Sequence, residues 1–315
     1  MELTRLHKVL LEWFEKHGRH ELPWRQTQDV YKIYLSEIML QQTQVSRVEG
    51  EYYPKFLKRF PTLKALAQAS ENEVLALWSG LGYYSRARNL LQCAKICKDT
   101  LPKEPKELMK LPGIGTYTAN AICAFAYNQP VAVVDTNIKR VIMRFFALQD
   151  EKEVQQKAQM ILNTNEPKKH NLALMDLGSL LCTPKNPLCD QCPIQQWCAG
   201  KESPHSFGKT KKTKREEKVI HFGIFLQSGH IAMERSNKNL YKNMFILPAI
   251  ESAPKPFATF KHSYTKYNIQ ATLTLLNKRP PNTHLIPLQA LSAYPVASIA
   301  LKGIKKAIKH LQEDL

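Results

Sequence analysis

The sequence predicts a multidomain chain in which an all-α region runs to about residue 200 and an α+β domain follows. Three observations lead there. Over 29–42, 72–79, 84–99, 116–127 and 136–147, apolar residues recur every three or four positions, with Pro and Gly between the segments. From Lys201 to Lys218 the text KESPHSFGKTKKTKREEK is polar, basic and poor in apolar residues, and reads as a linker. Beyond it, VIHFGIFLQ, HIAMER and YNIQATLTLL read as strands, the last with β-branched alternation, and IALKGIKKAIKHL is a short amphipathic helix.

The first segment, MELTRLHKVLLEWFEKHG, places Leu3, Leu6, Leu10 and Trp13 at helical spacing and lacks the unbroken apolar core of a signal peptide. No window reaches the roughly 18 apolar residues of a membrane span, so a cytoplasmic address and no membrane partner are expected. The chain's 315 residues suffice for two domains with cores of their own, and 43% hydrophobic residues fit a globular protein. A formal charge of +18, from 45 Lys and Arg against 27 Asp and Glu, suggests a polyanionic partner, most often nucleic acid; a basic protein with no such partner is the alternative.

The second segment carries SEIMLQQTQV, residues 36–45. Glu37 interrupts an apolar run, and its helical neighbours are Ile33, Tyr34, Leu40 and Gln41, a flank that raises a carboxyl pKa by desolvation. In LPGIGTYTANAI, Gly113 and Gly115 stand between two helical segments, where glycine permits positive φ and close approach to a ligand and the following amides can hold a phosphate. An ordinary helix–helix turn is the alternative. In PVAVVDTNIKRVIMRFF, Asp135 ends an apolar run and begins a helix. Asp is a good N-cap, and the helix start is expected to keep it ionised. Two carboxyls with opposed environments suit glycosidic bond cleavage, one protonating the leaving group and one supporting an oxocarbenium-like sugar.

Cys182, Cys189, Cys192 and Cys198 form C-x6-C-x2-C-x5-C. Four thiolates complete either a tetrahedral zinc site or a cubane cluster, and a chain without a secretion signal favours metal over disulfides. Cys93, Cys97 and Cys123 lie among apolar residues and read as packing.

The cysteine spacing resembles the iron–sulfur loop of the endonuclease III and MutY branch of helix-hairpin-helix DNA glycosylases, and the glycine string resembles their hairpin. LPWR (22–25), SEIMLQQTQV and GLGYYSRARNL (80–90) resemble the MutY family of adenine DNA glycosylases, a similarity that runs through about residues 20–200. The resemblance implies one 4Fe–4S cluster on the four cysteines. It also implies a six-helix part over about 23–130 and an iron–sulfur part built from the N-terminal helix and 131–200. Residues 219–315 resemble, more weakly, a Nudix-related 8-oxoguanine recognition domain. The expected fold class is therefore an all-α helix-hairpin-helix glycosylase region with an iron–sulfur loop, plus a C-terminal α+β Nudix-like domain.

Carried over residue by residue, the resemblance makes Glu37 the acid that protonates adenine N7 and later helps activate water, and Asp135 the oxocarbenium stabiliser. Gln41 or Gln42, with Gln42 favoured, enters the base stack, and Leu81 and Tyr83 wedge beside 8-oxoguanine. Arg25, Gly113 and Gly115 are DNA-contacting positions, and Asp176 reads the adenine amino group. Tyr117 stands where the bifunctional type has a lysine nucleophile, so a monofunctional enzyme is expected, with Tyr117 near the sugar supporting Asp135. The partner is duplex DNA with A·8-oxoguanine or A·G mispairs, and the protein is expected to be a monomer.

The chain departs from the family at Thr136, where glycine is usual, and at Asp176, which is one methylene short. The family's Phe-Ser-His loop aligns with Tyr264-Thr265-Lys266. From residue 219 onward only Glu234, Glu251 and Glu313 occur, too dispersed for a hydrolytic metal box. Thr136 and the altered loop keep open a thymine (G·T) glycosylase, and an iron–sulfur DNA-binding protein without catalysis is a further alternative.

Overall fold

The computed structural model describes residues 3–208, 215–238, 241–251, 255–264 and 267–313. In chain order the helices are α1 (Leu3–His17), α2 (Val30–Leu40), α3 (Val45–Arg47), α4 (Tyr53–Arg59), α5 (Leu63–Ala67), α6 (Glu71–Leu77), α7 (Ser85–Cys97), α8 (Pro105–Leu108), α9 (Thr116–Tyr127), α10 (Thr136–Phe145), α11 (Val154–Met160), α12 (Pro167–Leu180) and α13 (Ser298–Glu313). The strands are β1 (Glu216–Ile224), β2 (Leu226–Gln227), β3 (His230–Arg235), β4 (Phe245–Ile246), β5 (Ala249–Ile250), β6 (Ala258–Tyr264), β7 (Tyr267–Leu275) and β8 (His284–Pro287). Among the described residues all strands follow residue 215, as the sequence predicts for an all-α part followed by an α+β part.

The chain folds as two compact units, residues 1–49 with 96–211, and residues 50–95 with 212–315. This division differs from the one expected at residues 200–219. Residues 50–95 group with the sheets because side chains there bind that part directly. Ser79 Oγ donates to Val296 O (2.5 Å), Ser298 N donates to the Tyr84 hydroxyl (2.9 Å), and Asn243 Nδ2 donates to Glu71 Oε1 (3.1 Å).

In the first unit, Leu6, Leu10 and Phe14 of α1 bury with Ile138, Val141 and Ile142 of α10 and Ala173, Leu174 and Leu177 of α12. Helix α2 starts where Asp29 accepts from the amides of Tyr31 and Lys32, and it buries every residue from Ile33 to Met39. Periodicity did not single out α12, because its buried positions include the polar His170, Asn171 and Asp176, so its apolar residues alone do not mark the buried face.

In the second unit, one sheet has the order β5-β1-β7-β6, with β1 and β7 parallel (Ile220 opposite Ala271) and β6 and β7 antiparallel (Tyr264 opposite Tyr267). A second sheet is ordered β2-β3-β4, with β8 pairing β3. Helix α13 buries Ile299, Ala300, Ile304 and Ala307. Its Gly303 gives room to Leu247, whose Cδ1 lies 2.7 Å from where a Cβ would stand. Thr265 and Lys266, which the family resemblance aligns with the lesion-reading Phe-Ser-His loop and so makes DNA-binding positions, lie outside the described residues, as does 209–214 of the basic linker.

Candidate active site and cysteine loop

The first unit carries a cleft of about 810 Å³ lined by Arg19, Arg25, Glu37, Gln41, Gln42, Tyr117 and Asp135, among others. Glu37 reaches it from the middle of α2, where the apolar flank leaves it only 5% exposed. Tyr117, in the first turn of α9, donates its hydroxyl to Glu37 Oε2 at 2.6 Å. Burial pushes the Glu37 carboxyl up to about 7, against the opposing effects of the Tyr117 bond and the Arg25 charge; Asp135 adds to the rise. The residue therefore holds its proton near neutrality, as its sequence environment predicts. The Tyr117 phenol is itself held far above its usual range by burial and by Glu37. Its hydroxyl binds Glu37, and Asp135 lies near enough to add to that rise.

Asp135 caps α10, with Oδ1 accepting from Ile138 N (2.6 Å) and Oδ2 from Asn137 Nδ2 (2.9 Å). The expected low pKa does not follow. Burial raises it above the ordinary value, and the bonds from Ile138 and Asn137 and the charge of Arg140 offset only part of that. A helix start lowers a carboxyl most where water still reaches it; here desolvation is the larger effect. Asn137 Oδ1 in turn accepts from Arg140 Nη2 (3.0 Å), which also donates to Gly178 O (2.6 Å), while Arg140 Nε donates to Cys182 O (2.7 Å). A hydrogen-bonded chain thus runs from Asp135 to the first cysteine. The sequence shows its signal in KRVIMRFF, where Arg140 and Arg144 stand four apart and flank the apolar run Val141–Met143, but does not disclose their partners.

Gly113 has φ +75°, a conformation that favours glycine. Gly115 is extended, at φ −93° and ψ −178°, and a Cβ placed on it meets nothing within 4 Å. Its backbone faces open space at the start of α9, as an anion-holding turn needs. Gln41 ends α2 and donates to Thr118 Oγ1 (3.3 Å), whereas Gln42 is exposed and adopts φ +56°. In the second unit, Leu81 is buried and so belongs to the core in this state. Tyr83 is half-buried, adopts φ +50°, and stacks on Tyr264 with centroids 6.0 Å apart, and the Arg86 guanidinium lies 5.3 Å from its ring. Asp176 and Arg25, read as contacts to base and DNA, are bound to each other: Arg25 Nη1 donates to Asp176 Oδ2 at 2.6 Å.

Cys182, Cys189, Cys192 and Cys198 line one small cavity with Leu181, Leu188 and Arg144. None is in a disulfide. Among the described residues no three His, Cys, Asp or Glu side chains gather closely enough for one metal ion. The four thiols instead share the lining of that one cavity. Burial pushes the Cys192 thiol up to about 12, so thiolates form there only with a cation among them. Arg144 Nη1 donates to Cys182 Sγ (3.3 Å) and to Thr183 O (2.8 Å), supplying positive charge beside the sulfurs. The donor set fits the cluster.

Residues 35–164 match the HhH-GPD superfamily of base excision DNA repair proteins, and residues 182–198 match the iron–sulfur binding domain of endonuclease III. The adenine DNA glycosylase of Buchnera aphidicola subsp. Schizaphis graminum is 35% identical over 277 residues, which cover 83% of this chain and 79% of that protein. The chain belongs to the adenine DNA glycosylase family. A second member of this family, from Buchnera aphidicola subsp. Baizongia pistaciae, is 38% identical, with 77% of this chain and 73% of that protein covered. The fold is also similar to that of a thermostable thymine-DNA glycosylase, at a TM-score of 0.59 and 26% identity, over 64% of this chain and 96% of that one. With the family and the iron–sulfur domain match in place, the protein holds one 4Fe–4S cluster in its cysteine loop.

Proposed function

We propose that this protein hydrolyses the N-glycosyl bond of adenine mispaired with 8-oxoguanine or guanine in duplex DNA and leaves an abasic site. The relatives named as adenine DNA glycosylases support the base. The observation that carries the chemistry is the buried Glu37, held protonated to about pH 7 in the same cleft as Asp135. Glu37 donates its proton to the base, and the C1′–N9 bond breaks with both electrons leaving on adenine. Asp135, ionised, faces the positive charge that develops on the sugar. Glu37, now a carboxylate, takes a proton from the water that attacks C1′. Tyr117 fixes the Glu37 carboxyl and offers no amine for a Schiff base, so strand cleavage is not part of the reaction. When bound, the cluster ties the cysteine loop together and, through Arg140 and Asn137, braces Asp135.

Flipping the base out leaves a gap that a side chain must fill. Gln42 suits this role, being exposed on a left-handed turn beside Glu37, and Gln41 suits it less because Thr118 already holds it. Tyr83 is the wedge on the opposite strand, while Leu81 stays in the core. The C-terminal sheets read the orphan base and carry no chemistry. Single-turnover excision on A·8-oxoguanine, A·G and T·G duplexes tests the proposal. Free adenine, with strand breaks appearing only after alkali, is the expected result; thymine release would favour the activity named for the thymine-DNA glycosylase of the same fold.

A further inference from the structure

Asp176 is 0% exposed and stands behind the cleft, whereas Arg19 and Arg25 line it. Its Oδ1 accepts from Arg19 Nε (2.8 Å), Arg19 Nη2 (2.5 Å) and Arg25 Nη2 (2.9 Å). Its Oδ2 accepts from Arg19 N (2.9 Å) and Arg25 Nη1 (2.6 Å). An ionised carboxylate has about four lone-pair sites, so these five donors leave nothing for the amino group of an extruded adenine. Burial alone would raise the Asp176 pKa, but Arg25 and Arg19 more than offset it and hold the group below the usual carboxylate range.

Arg25 is also close enough to Glu37 for its charge to favour the ionised form there, yet its bonds go to Asp176 and to the Arg19 carbonyl (3.2 Å). The groups that face Glu37 are Tyr117 from α9, Asp135 at the head of α10 and Arg25 from the loop before α2; Arg19 and Lys168 are the cleft's other cations. An unheld guanidinium beside a buried carboxylate forks onto it. We propose that Asp176 is a positioning residue which clamps Arg19 and Arg25 into the cleft wall and holds Arg25 off Glu37, and that it does not read the base. The inference rests on Glu37 being the general acid, and it departs from the role that the family resemblance gives to this position.

The test is a titration of the Glu37 carboxyl by infrared difference spectroscopy against Glu37→Gln, in the iron-loaded protein. The midpoint is expected near 7 in the unsubstituted protein and at least about one unit lower in Asp176→Asn, because an adjacent guanidinium lowers a carboxyl by roughly 1–3 units. The double variant Asp176→Asn/Arg25→Gln should return the midpoint to near its starting value. A smaller drop in Asp176→Asn overturns the proposal, as does a double variant that stays low. Circular dichroism checks the fold. If Asp176→Asn does not fold, Arg25→Gln alone decides: a rise of less than about one unit is expected, and a larger one means that Arg25 already pairs with Glu37. A second readout compares excision of adenine with that of purine lacking the 6-amino group. Equal losses in Asp176→Asn support the clamp, and a loss confined to adenine puts the carboxylate on the amino group. Should the unsubstituted protein excise neither base, the functional proposal fails while the infrared titration still decides this one.

Discussion

Replacing Glu37 by Gln removes the acid while keeping its size, and excision should fall at least about 10²-fold with duplex binding retained. Unchanged single-turnover rates would sink the mechanism. Since the working form is protonated, the rate should decline as pH rises through about 7. The same shift bears on stability. The ordinary glutamate value is 4.5 and the folded value about 7, so the folded state binds the extra proton between them and stability falls as pH rises across that window. Glu37→Gln should therefore be the more stable protein at pH 8, by an amount on the order of 1 to 3 kcal/mol; denaturant titrations at pH 5 and 8 would show the difference at pH 8 alone. His170 has the opposite sign. Burial, and then the charge of His7, bring it down to about 3 from an ordinary 6.5. Its contribution is present above pH 6.5 and is lost as pH falls toward 3, at about 1.4 kcal/mol per unit at most. His170→Phe should lose this acid sensitivity, measured by comparing melting temperatures at pH 7 and 5.

Helices α10 and α12 approach so closely that a Cβ on Gly178 would lie 2.7 Å from Asn137 Cβ and 3.0 Å from Asn137 backbone atoms. Asn137 is the residue that bonds Asp135. Gly178→Ala should force the two helices apart, cost about 1–3 kcal/mol, and lower excision more than it lowers DNA affinity. A full rate in a protein of lowered melting temperature would show that the spacing serves packing alone. Helix α12 also shows the limit of pattern reading. Its sequence is helical, but it buries the polar His170, Asn171 and Asp176 along with its apolar residues, so polarity does not track burial there. Strand β6 was hidden differently. ATFKHSY alternates between exposed and half-buried positions with only Phe260 fully buried, so its polar residues mask the strand.

At the scale of the molecule, the cysteine loop carries a structural load. Arg144 bonds Cys182, Thr183 and Pro184, and Ala199 and Gly200 donate to the carbonyls of Phe145 and Arg144. Removing the iron should therefore loosen the C-terminal end of α10 in the first unit. Calorimetry of the chelated protein is expected to show a lower transition for that unit, and hydrogen exchange should rise over residues 182–198 and 140–146 while the β-sheets of the second unit keep their protection. Uniform protection with and without iron would refute this. The sequence by itself determined the cysteine spacing, the glycine that a left-handed turn favours at 113, the apolar flank that raises Glu37, and the change from helices to strands near residue 215. All of these are local, set by residues a few positions apart. Only the tertiary structure decided that the Tyr117 hydroxyl serves Glu37 across 80 residues, that Asp176 is consumed by arginines 151 and 157 positions away, and that desolvation outweighs the helix start at Asp135. Those outcomes depend on which groups lose water together, and a carboxyl's charge, partners and proton affinity follow from that burial rather than from its neighbours in the chain.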